Sequence, residues 1–302
     1  MVKRKREQNI QKMIKEEYGF GVGSRYKPWI NIQDVPSLGR VTRIKGTKTR
    51  RQHELLSDME RNYFYILEFS DSVKDIREQF PLLPIEDTIA IASEIGIKHP
   101  KNPKTGEDIV MTTDFLITVS TADGIKEVAR TIKSKDDLLN KRILEKFEIE
   151  RIFWKKRNID WAIVTEEEID RTIANNISFI HGYTDIKNVD AFNEIDSLEI
   201  QDLIYEFLRR LIDDKRSIRA VALEFDNDMS LESGCGLSIF KYLVINKIIE
   251  IDISKKIDVN KNISILSIRR DDIKKVDAIW FLLIQFINIL ILRMVKELEL
   301  LK

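Results

Sequence analysis

The spacing of apolar and polar positions divides the chain into two stretches of different character. Residues 7–17 predict a short charged helix, and Gly19, Gly21, Gly23, Pro28 and Pro36 break the chain after it. Over 55–69, apolar side chains fall at 55, 56, 59, 63, 64, 66 and 67, the spacing of an amphipathic helix, with Ser57 or Asp58 placed to cap it. Residues 73–80 read as a strand ended by Pro81 and Pro84, with a loop to follow. A β-rich run at 109–119, a turn at 121–124 and a second run at 125–132 predict a hairpin. Residues 136–156 repeat apolar positions at helical spacing, and 161–165 is a short apolar strand. Helix, three strands, helix, strand predicts a mixed α/β core around a central sheet.

The pattern changes where Glu166, Glu167, Glu168 and Asp170 cluster, which predicts domains at 1–166 and 167–272 and a C-terminal segment at 273–302. The second stretch predicts helices at 197–213, 216–224 and 236–248, then β-rich runs at 249–253 and 263–268. Three helices and a small hairpin are the layout of a winged helix. Helix 236–248 carries only Lys241 and Lys247 as cations and is otherwise apolar, poor equipment for reading base edges. This domain therefore reads as a protein-docking or non-specific binding module. The apolar run at 279–292 is too short for the roughly 20 residues that cross a bilayer. It predicts a helix packed on the C-terminal domain, or a hydrophobic anchor for a partner subunit, and no membrane association.

Composition narrows the chemistry. With 43% hydrophobic and 33% charged residues the chain is globular. One cysteine, Cys235, excludes a disulfide framework and a thiolate zinc site, and three histidines exclude a histidine-rich one. Any catalytic metal must rest on carboxylates, which favours Mg²⁺ or Mn²⁺. The formal net charge is zero, yet residues 1–52 hold fourteen Lys/Arg against four Asp/Glu, an asymmetry that suggests a polyanionic partner. The acid-free stretch 40–51 reads as a basic strand or loop, either a solvated surface or a phosphate-contacting arm. On the second reading Arg40, Arg43, Lys45, Lys48, Arg50 and Arg51 are DNA-contact candidates, with Lys98 on a later loop. The polar N-terminus has no apolar core of a secretory signal, and a cytoplasmic protein is expected.

A phosphodiester-cleaving site needs one or two divalent cations held by carboxylates and a carbonyl, with a cation such as lysine near the developing charge. Asp114 lies within an apolar strand, where a charge is costly unless paired or bound to metal. Lys133 ends the neighbouring strand, and Glu60 lies on the preceding helix at the edge of its buried side. Each has a plainer reading: an exposed glutamate, and a cross-strand ion pair worth about 0.2–1 kcal/mol. Arg77-Glu78-Gln79 reads either as a loop clamp or as a DNA contact or support for the metal cage. His99 reads as a phosphate contact or, as lone histidines more often are, a structural group.

At these residues the chain resembles the TnsA family, endonuclease subunits of heteromeric cut-and-paste transposases. The resemblance is carried by Lys27-Pro28-Trp29, Asp34-Val35-Pro36-Ser37, Gly39-Arg40, Leu55-Leu56-Ser57-Asp58-Met59-Glu60 and Asp75-Ile76-Arg77-Glu78-Gln79-Phe80-Pro81-Leu82-Leu83-Pro84. It continues through Gly96-Ile97-Lys98-His99-Pro100, Thr113-Asp114-Phe115-Leu116 and Leu144-Glu145-Lys146-Phe147-Glu148-Ile149-Glu150-Arg151. It spans about residues 20–165 and thins afterwards. It implies a restriction-endonuclease-like catalytic domain, a winged-helix C-terminal domain and Mg²⁺-dependent cleavage, with two ions, at the 5′ ends of a transposon. It implies double-stranded transposon-end DNA, an integrase-like transposase that cuts the 3′ ends, and an AAA+ ATPase regulator as partners. The family's catalytic positions fall on Glu60, Asp114 and Lys133, and its metal ligands on Glu60, Asp114, Thr131 and the Ile132 carbonyl. The family commonly has glutamine two residues before the lysine, where this chain has Thr131. That departure keeps open a non-catalytic DNA-binding or assembly subunit; a stand-alone restriction or repair nuclease is a further alternative.

Overall fold

The computed structural model describes residues 10–33 and 40–269. The start of the basic arm, the matches at 34–37 and at Gly39, and the apolar run 279–292 within the segment 273–302 lie outside the described residues. The chain divides into two compact units, Met1–Asn175 and Asn176–Lys302.

The first unit opens with α1 (Ile10–Lys15) and a 3-10 turn at Gly23–Arg25. The basic stretch supplies β1 (Thr42–Lys45) and the turn to β2 (Gln52–Leu55), an antiparallel pair running from Thr42↔Leu55 to Lys45↔Gln52. Next come α2 (Asp58–Phe69) and β3 (Val73–Pro81). Where a loop was predicted, the chain forms α3 (Ile85–Glu94), which buries Thr88, Ile91 and Ala92 as a stripe. Two prolines before it and only ten residues of pattern disguise it in the sequence. The predicted hairpin forms as β4 (Thr112–Thr121) and β5 (Gly124–Ile132). The long helical pattern over 136–156 is split by Asn140, which caps α4 (Lys141–Lys156) through its side chain and leaves a 3-10 turn at Asp136–Leu139. Strand β6 (Asp160–Val164) follows.

The central sheet has the order β3-β4-β5-β6. Strands β3, β4 and β5 are antiparallel neighbours, and β6 lies parallel to β5 through the α4 crossover, so the sheet is mixed. One face packs Ile76, Phe115, Ile117, Val128 and Ile132 against Phe64 and Leu67 of α2. The other packs Leu116 and Ala129 against Ile91 of α3 and Ile149, Phe153 and Trp154 of α4.

After α5 (Arg171–Ile180), which had not been predicted, the second unit continues with α6 (Ser197–Asp213), α7 (Ile218–Asp228) and α8 (Cys235–Ile245). The strands β7 (Ile249–Ile251) and β8 (Ile265–Ile268) form an antiparallel pair. Gly236 lets α8 press against α7, since a Cβ there would sit 2.9 Å from the Ala222 Cα. On α8, Lys241 places its ammonium 4.2 and 4.3 Å from the ring centres of Phe179 and Tyr183 and donates to the Tyr183 hydroxyl at 3.1 Å. The one cation within this helix is thus spent on aromatic rings of the same unit, and Lys247 lies past its end. No helix among the described residues is long and apolar enough to cross a membrane.

Candidate active site

The first turn of α2 fixes Glu60. Ser57 is the N-cap; its hydroxyl accepts from the Glu60 backbone N–H at 3.1 Å and donates to Glu60 Oε1 at 2.9 Å. The Leu56 N–H donates to Glu60 Oε2 at 3.0 Å. This is a variant of the capping box, in which the glutamate three residues on reaches back to the start of the helix. It holds Glu60 at 7% exposure, against the rule that glutamate stays in solvent.

Asp114 stands where β4 and β5 part. Their ladder ends at Phe115↔Arg130, so the next residues of the two strands no longer pair. The Asp114 carboxylate enters the opening: Oδ2 accepts the Ile132 N–H at 2.7 Å, and Oδ1 accepts from Gln79 Nε2 at 3.2 Å. In an extended residue the N–H and C=O face the same strand edge, so the Ile132 carbonyl is turned to this opening too.

The two carboxylates act on each other. Burial and the neighbouring Asp114 charge push Glu60 well above the ordinary carboxylate range, against the lowering effect of Leu56, Ser57 and Gln79. Burial likewise raises Asp114, opposed by the Ile132 N–H, Gln79 and the charge of Lys133. Two desolvated carboxylates that repel each other are stabilised when a cation enters between them. Among the described residues no group of three or more His, Cys, Asp or Glu is arranged to hold a metal. The donors this opening offers are two carboxylates and a carbonyl, hard oxygens that could hold an ion such as Mg²⁺, which keeps waters and takes phosphate oxygens as further ligands.

Lys133 continues β5 past Ile132, its N–H bonded to the Val164 carbonyl at 3.0 Å. Its charge is felt at Asp114, but its ammonium pairs with Asp137 Oδ2 at 3.3 Å. Thr131 is turned elsewhere than the sequence suggested. It is 4% exposed; its hydroxyl donates to Glu150 Oε1 and accepts from Trp161 Nε1 at 3.1 Å. That hydroxyl is committed to the α4 side of the sheet and is no ligand for an ion at Asp114. Glu150 also takes hydrogen bonds from Thr113 at 2.7 Å and Trp161 at 2.9 Å, and burial raises its pKa to about 7. The sequence reading passed over Glu150, although a glutamate on the apolar stripe between Ile149 and Phe153 is itself a signal.

The basic residues divide into outward and inward groups. Arg40, Arg43, Lys45, Arg50 and Lys98 are exposed, with Arg43 paired to Glu54 at 2.9 Å. Lys48 is half-buried and donates to the Ser70 carbonyl at 2.8 Å. Arg51 is a correction: it is buried, grips the fully buried Glu78 with its two terminal guanidinium nitrogens, and stacks 5.0 Å from the Tyr26 ring centre. His53 bridges Thr49 and Glu78, so the hairpin β1–β2 is rooted to β3 through buried charge. Arg77 is buried against Asp75, Glu127 and Thr118, and Gln79 alone of Arg77-Glu78-Gln79 touches the carboxylate pair. His99 is buried between Thr88 and Asp108, a loop clamp rather than a phosphate contact.

Residues 70–166 match the family model described as TnsA-like endonuclease N terminal, and residues 168–253 match TnsA endonuclease C terminal. The chain is also similar to the transposon Tn7 transposition protein TnsA of Escherichia coli. The two are 40% identical over 256 residues, covering 84% of this chain and 89% of that protein.

Proposed function

Because the chain belongs to the TnsA endonuclease family, we propose that it is the endonuclease subunit of a heteromeric transposase, cutting the 5′ ends of its transposon. The observation that carries this reading is the pairing of the buried Glu60 with the half-buried Asp114, whose carboxylate accepts the Ile132 N–H at the mouth of the β4–β5 opening, beside the Ile132 carbonyl. Glu60, Asp114 and the Ile132 carbonyl would hold Mg²⁺, with Mn²⁺ as a substitute. The second ion that the family resemblance implies would take its other ligands from DNA and water. The bound ion would polarise the scissile phosphate and make a coordinated water more acidic.

The chain's own groups do the rest. Ser57, Leu56 and Ile132 hold the carboxylate oxygens in place, so little reorganisation is needed when DNA arrives. Lys133, freed from its exposed partner Asp137, donates to the phosphate as negative charge builds. The exposed cations of β1, of its turn and of the 98 loop lie along the duplex and contact phosphates, which position DNA without reading its sequence. The second unit, with a winged-helix-like order of elements and an apolar α8, serves docking or non-specific contact. The partners are double-stranded transposon-end DNA, an integrase-like transposase that cuts the 3′ ends, and an AAA+ ATPase regulator, with the work done in the cytoplasm.

The test is a strand-resolved cleavage assay with the partner transposase, end DNA and Mg²⁺. Asp114→Ala and Lys133→Ala abolish the 5′ cut and leave the 3′ cut intact. Full 5′ cutting by both variants would remove the site assignment.

A further inference from the structure

Gln79 has a conformation that its neighbours do not explain by packing alone. Its φ is +48°, in the left-handed region that glutamine rarely adopts, and it sits inside a strand. Such residues concentrate at functional sites, where surrounding structure holds them. Here the holders are visible: the Gln79 carbonyl accepts the N–H of buried Trp29 at 3.2 Å, and the Tyr26 hydroxyl donates to the Glu78 carbonyl at 3.0 Å.

The turn at Gln79 reverses the faces of two strands. Regular alternation would place 76, 78 and 80 on one side of the sheet. Ile76 lies in the core beneath α2 and Glu78 meets Arg51 and His53 of the β1–β2 hairpin, but Phe80 stacks 5.8 Å from Trp154 of α4. Strand β4 does the same: Phe115 packs under α2, whereas Thr113 bonds Glu150 and Trp154 of α4. Glu78 pairs with Phe115 and Phe80 with Thr113, so the reversal falls across Gln79 and Asp114. The Gln79 side chain is 3% exposed, and its amide is oriented from both ends. Oε1 accepts from the Thr112 hydroxyl at 3.1 Å, which leaves Nε2 to donate to Asp114 Oδ1 at 3.2 Å. Gln79 is also among the groups that favour the charged form of Glu60.

We propose that Gln79 is a positioning residue of the cation site: its left-handed backbone turns Asp114 toward Glu60, and its carboxamide holds the two carboxylates side by side before an ion arrives. It supplies from β3 an amide next to the carboxylates that Thr131, committed to Glu150, does not supply from β5. The inference rests on the reading of Glu60 and Asp114 as the cation-binding pair.

Q79G separates backbone from side chain, because glycine accepts a positive φ and carries no amide. The full chain is compared with the variant by Mn²⁺ titration followed by electron paramagnetic resonance, by thermal unfolding, and by 5′-end cutting with its partner transposase. The inference predicts a melting temperature at or above that of the unmodified chain and Mn²⁺ affinity weaker by about 10- to 100-fold, the range seen when groups that orient metal ligands are removed. The kcat of the 5′ cut falls by a similar factor while KM for DNA holds. Unchanged Mn²⁺ affinity and kcat in Q79G overturn it. If Q79G does not fold, the same two readings on Q79N decide, since its shorter amide cannot reach Thr112 and Asp114 together. Asp114→Asn runs in parallel: if that variant keeps both Mn²⁺ binding and cutting, the cation-site reading itself fails, and if it loses both while Q79G is unchanged, only the role of Gln79 fails.

Discussion

The Lys133 ammonium lies 3.3 Å from the Asp137 carboxylate, four residues along the chain, and forms no such pair with Asp114. Both side chains are partly exposed, 35% and 49%, and Asp137 is drawn below the usual carboxylate range by Ser134 and by Lys133 itself. Exposed pairs of this kind contribute about 0.2–1 kcal/mol, so a DNA phosphate can displace Asp137 at little cost. Asp137→Asn is therefore expected to keep the 5′ cutting rate within about fivefold, the equivalent of 1 kcal/mol, whereas Lys133→Ala abolishes it. Single-turnover rates of the two variants check this. A loss in Asp137→Asn as deep as in Lys133→Ala would mean that Asp137 belongs to the reaction.

The carboxylate pair predicts a pH dependence of its own. Glu60, Asp114 and Glu150 are all raised, first of all by burial. A carboxylate with a raised folded pKa costs nothing below its unfolded value, about 3.9 for aspartate and about 4.3 for glutamate, and stability is lost as pH climbs toward the folded value. The cation-free chain is expected to melt several degrees lower at pH 8 than at pH 5, taking about 2–4 °C per kcal/mol for a chain of this class. Millimolar Mg²⁺ should restore much of the loss at pH 8 by binding the folded form. Asp114→Ala should no longer respond to Mg²⁺. Scanning calorimetry at the two pH values decides; an equal Mg²⁺ response in the variant would place the ion elsewhere.

Thr131 tests the placement of the metal donors. Its hydroxyl serves Glu150 and Trp161, so Thr131→Val should cost roughly 1–3 kcal/mol of stability by leaving buried polar partners unmet. Mn²⁺ affinity should stay within about twofold, since no donor to the ion is removed. A tenfold loss of Mn²⁺ binding, measured by isothermal titration, would restore the threonine hydroxyl as a ligand.

Arg51 and the outward cations of its hairpin should behave differently. Burial alone would raise Glu78, but the Arg51 hydrogen bonds and the adjacent His53 hold it at about 2. Its stability contribution is complete above an unfolded pKa of about 4.3 and disappears as pH falls through about 2. Arg51→Ala leaves Glu78 buried without its main partner and is expected to cost about 3–5 kcal/mol at pH 7. Urea unfolding should show this penalty shrinking between pH 5 and pH 2.5. Arg43→Ala and Arg50→Ala should alter stability by less than about 0.5 kcal/mol. Each should also lower the salt dependence of DNA binding by about one ion. A pH-independent penalty for Arg51→Ala would contradict the Glu78 pairing.

Much of this architecture is written locally. The hairpin β4–β5 and strand β6 follow from alternation and apolar runs, and α2 from its apolar spacing and Ser57. Helix α3 was hidden because Pro81 and Pro84 look like punctuation, while Pro84 in fact leads into the helix. Arg51 was misjudged because a run of cations reads as one surface, and only its pairing across the fold with Glu78 turns it inward. Asp114 was legible as a charge in an apolar strand. Its companion Gln79 was not, because a left-handed turn inside a strand depends on Trp29 and Tyr26, about fifty residues away. Thr131 stood out only against the family's glutamine, and where its hydroxyl goes was settled by Glu150 on α4.

The central claim is that Glu60, Asp114 and the Ile132 carbonyl hold the ion that drives the cut. Replacing Mg²⁺ with Fe²⁺ in the chain bound to end DNA, then adding ascorbate and peroxide, breaks the backbone next to the bound ion. The account predicts breaks close to residues 60, 114 and 132, competed away by excess Mg²⁺ and lost in Asp114→Ala. Breaks clustered elsewhere in the chain, or an unchanged pattern in Asp114→Ala, would contradict it.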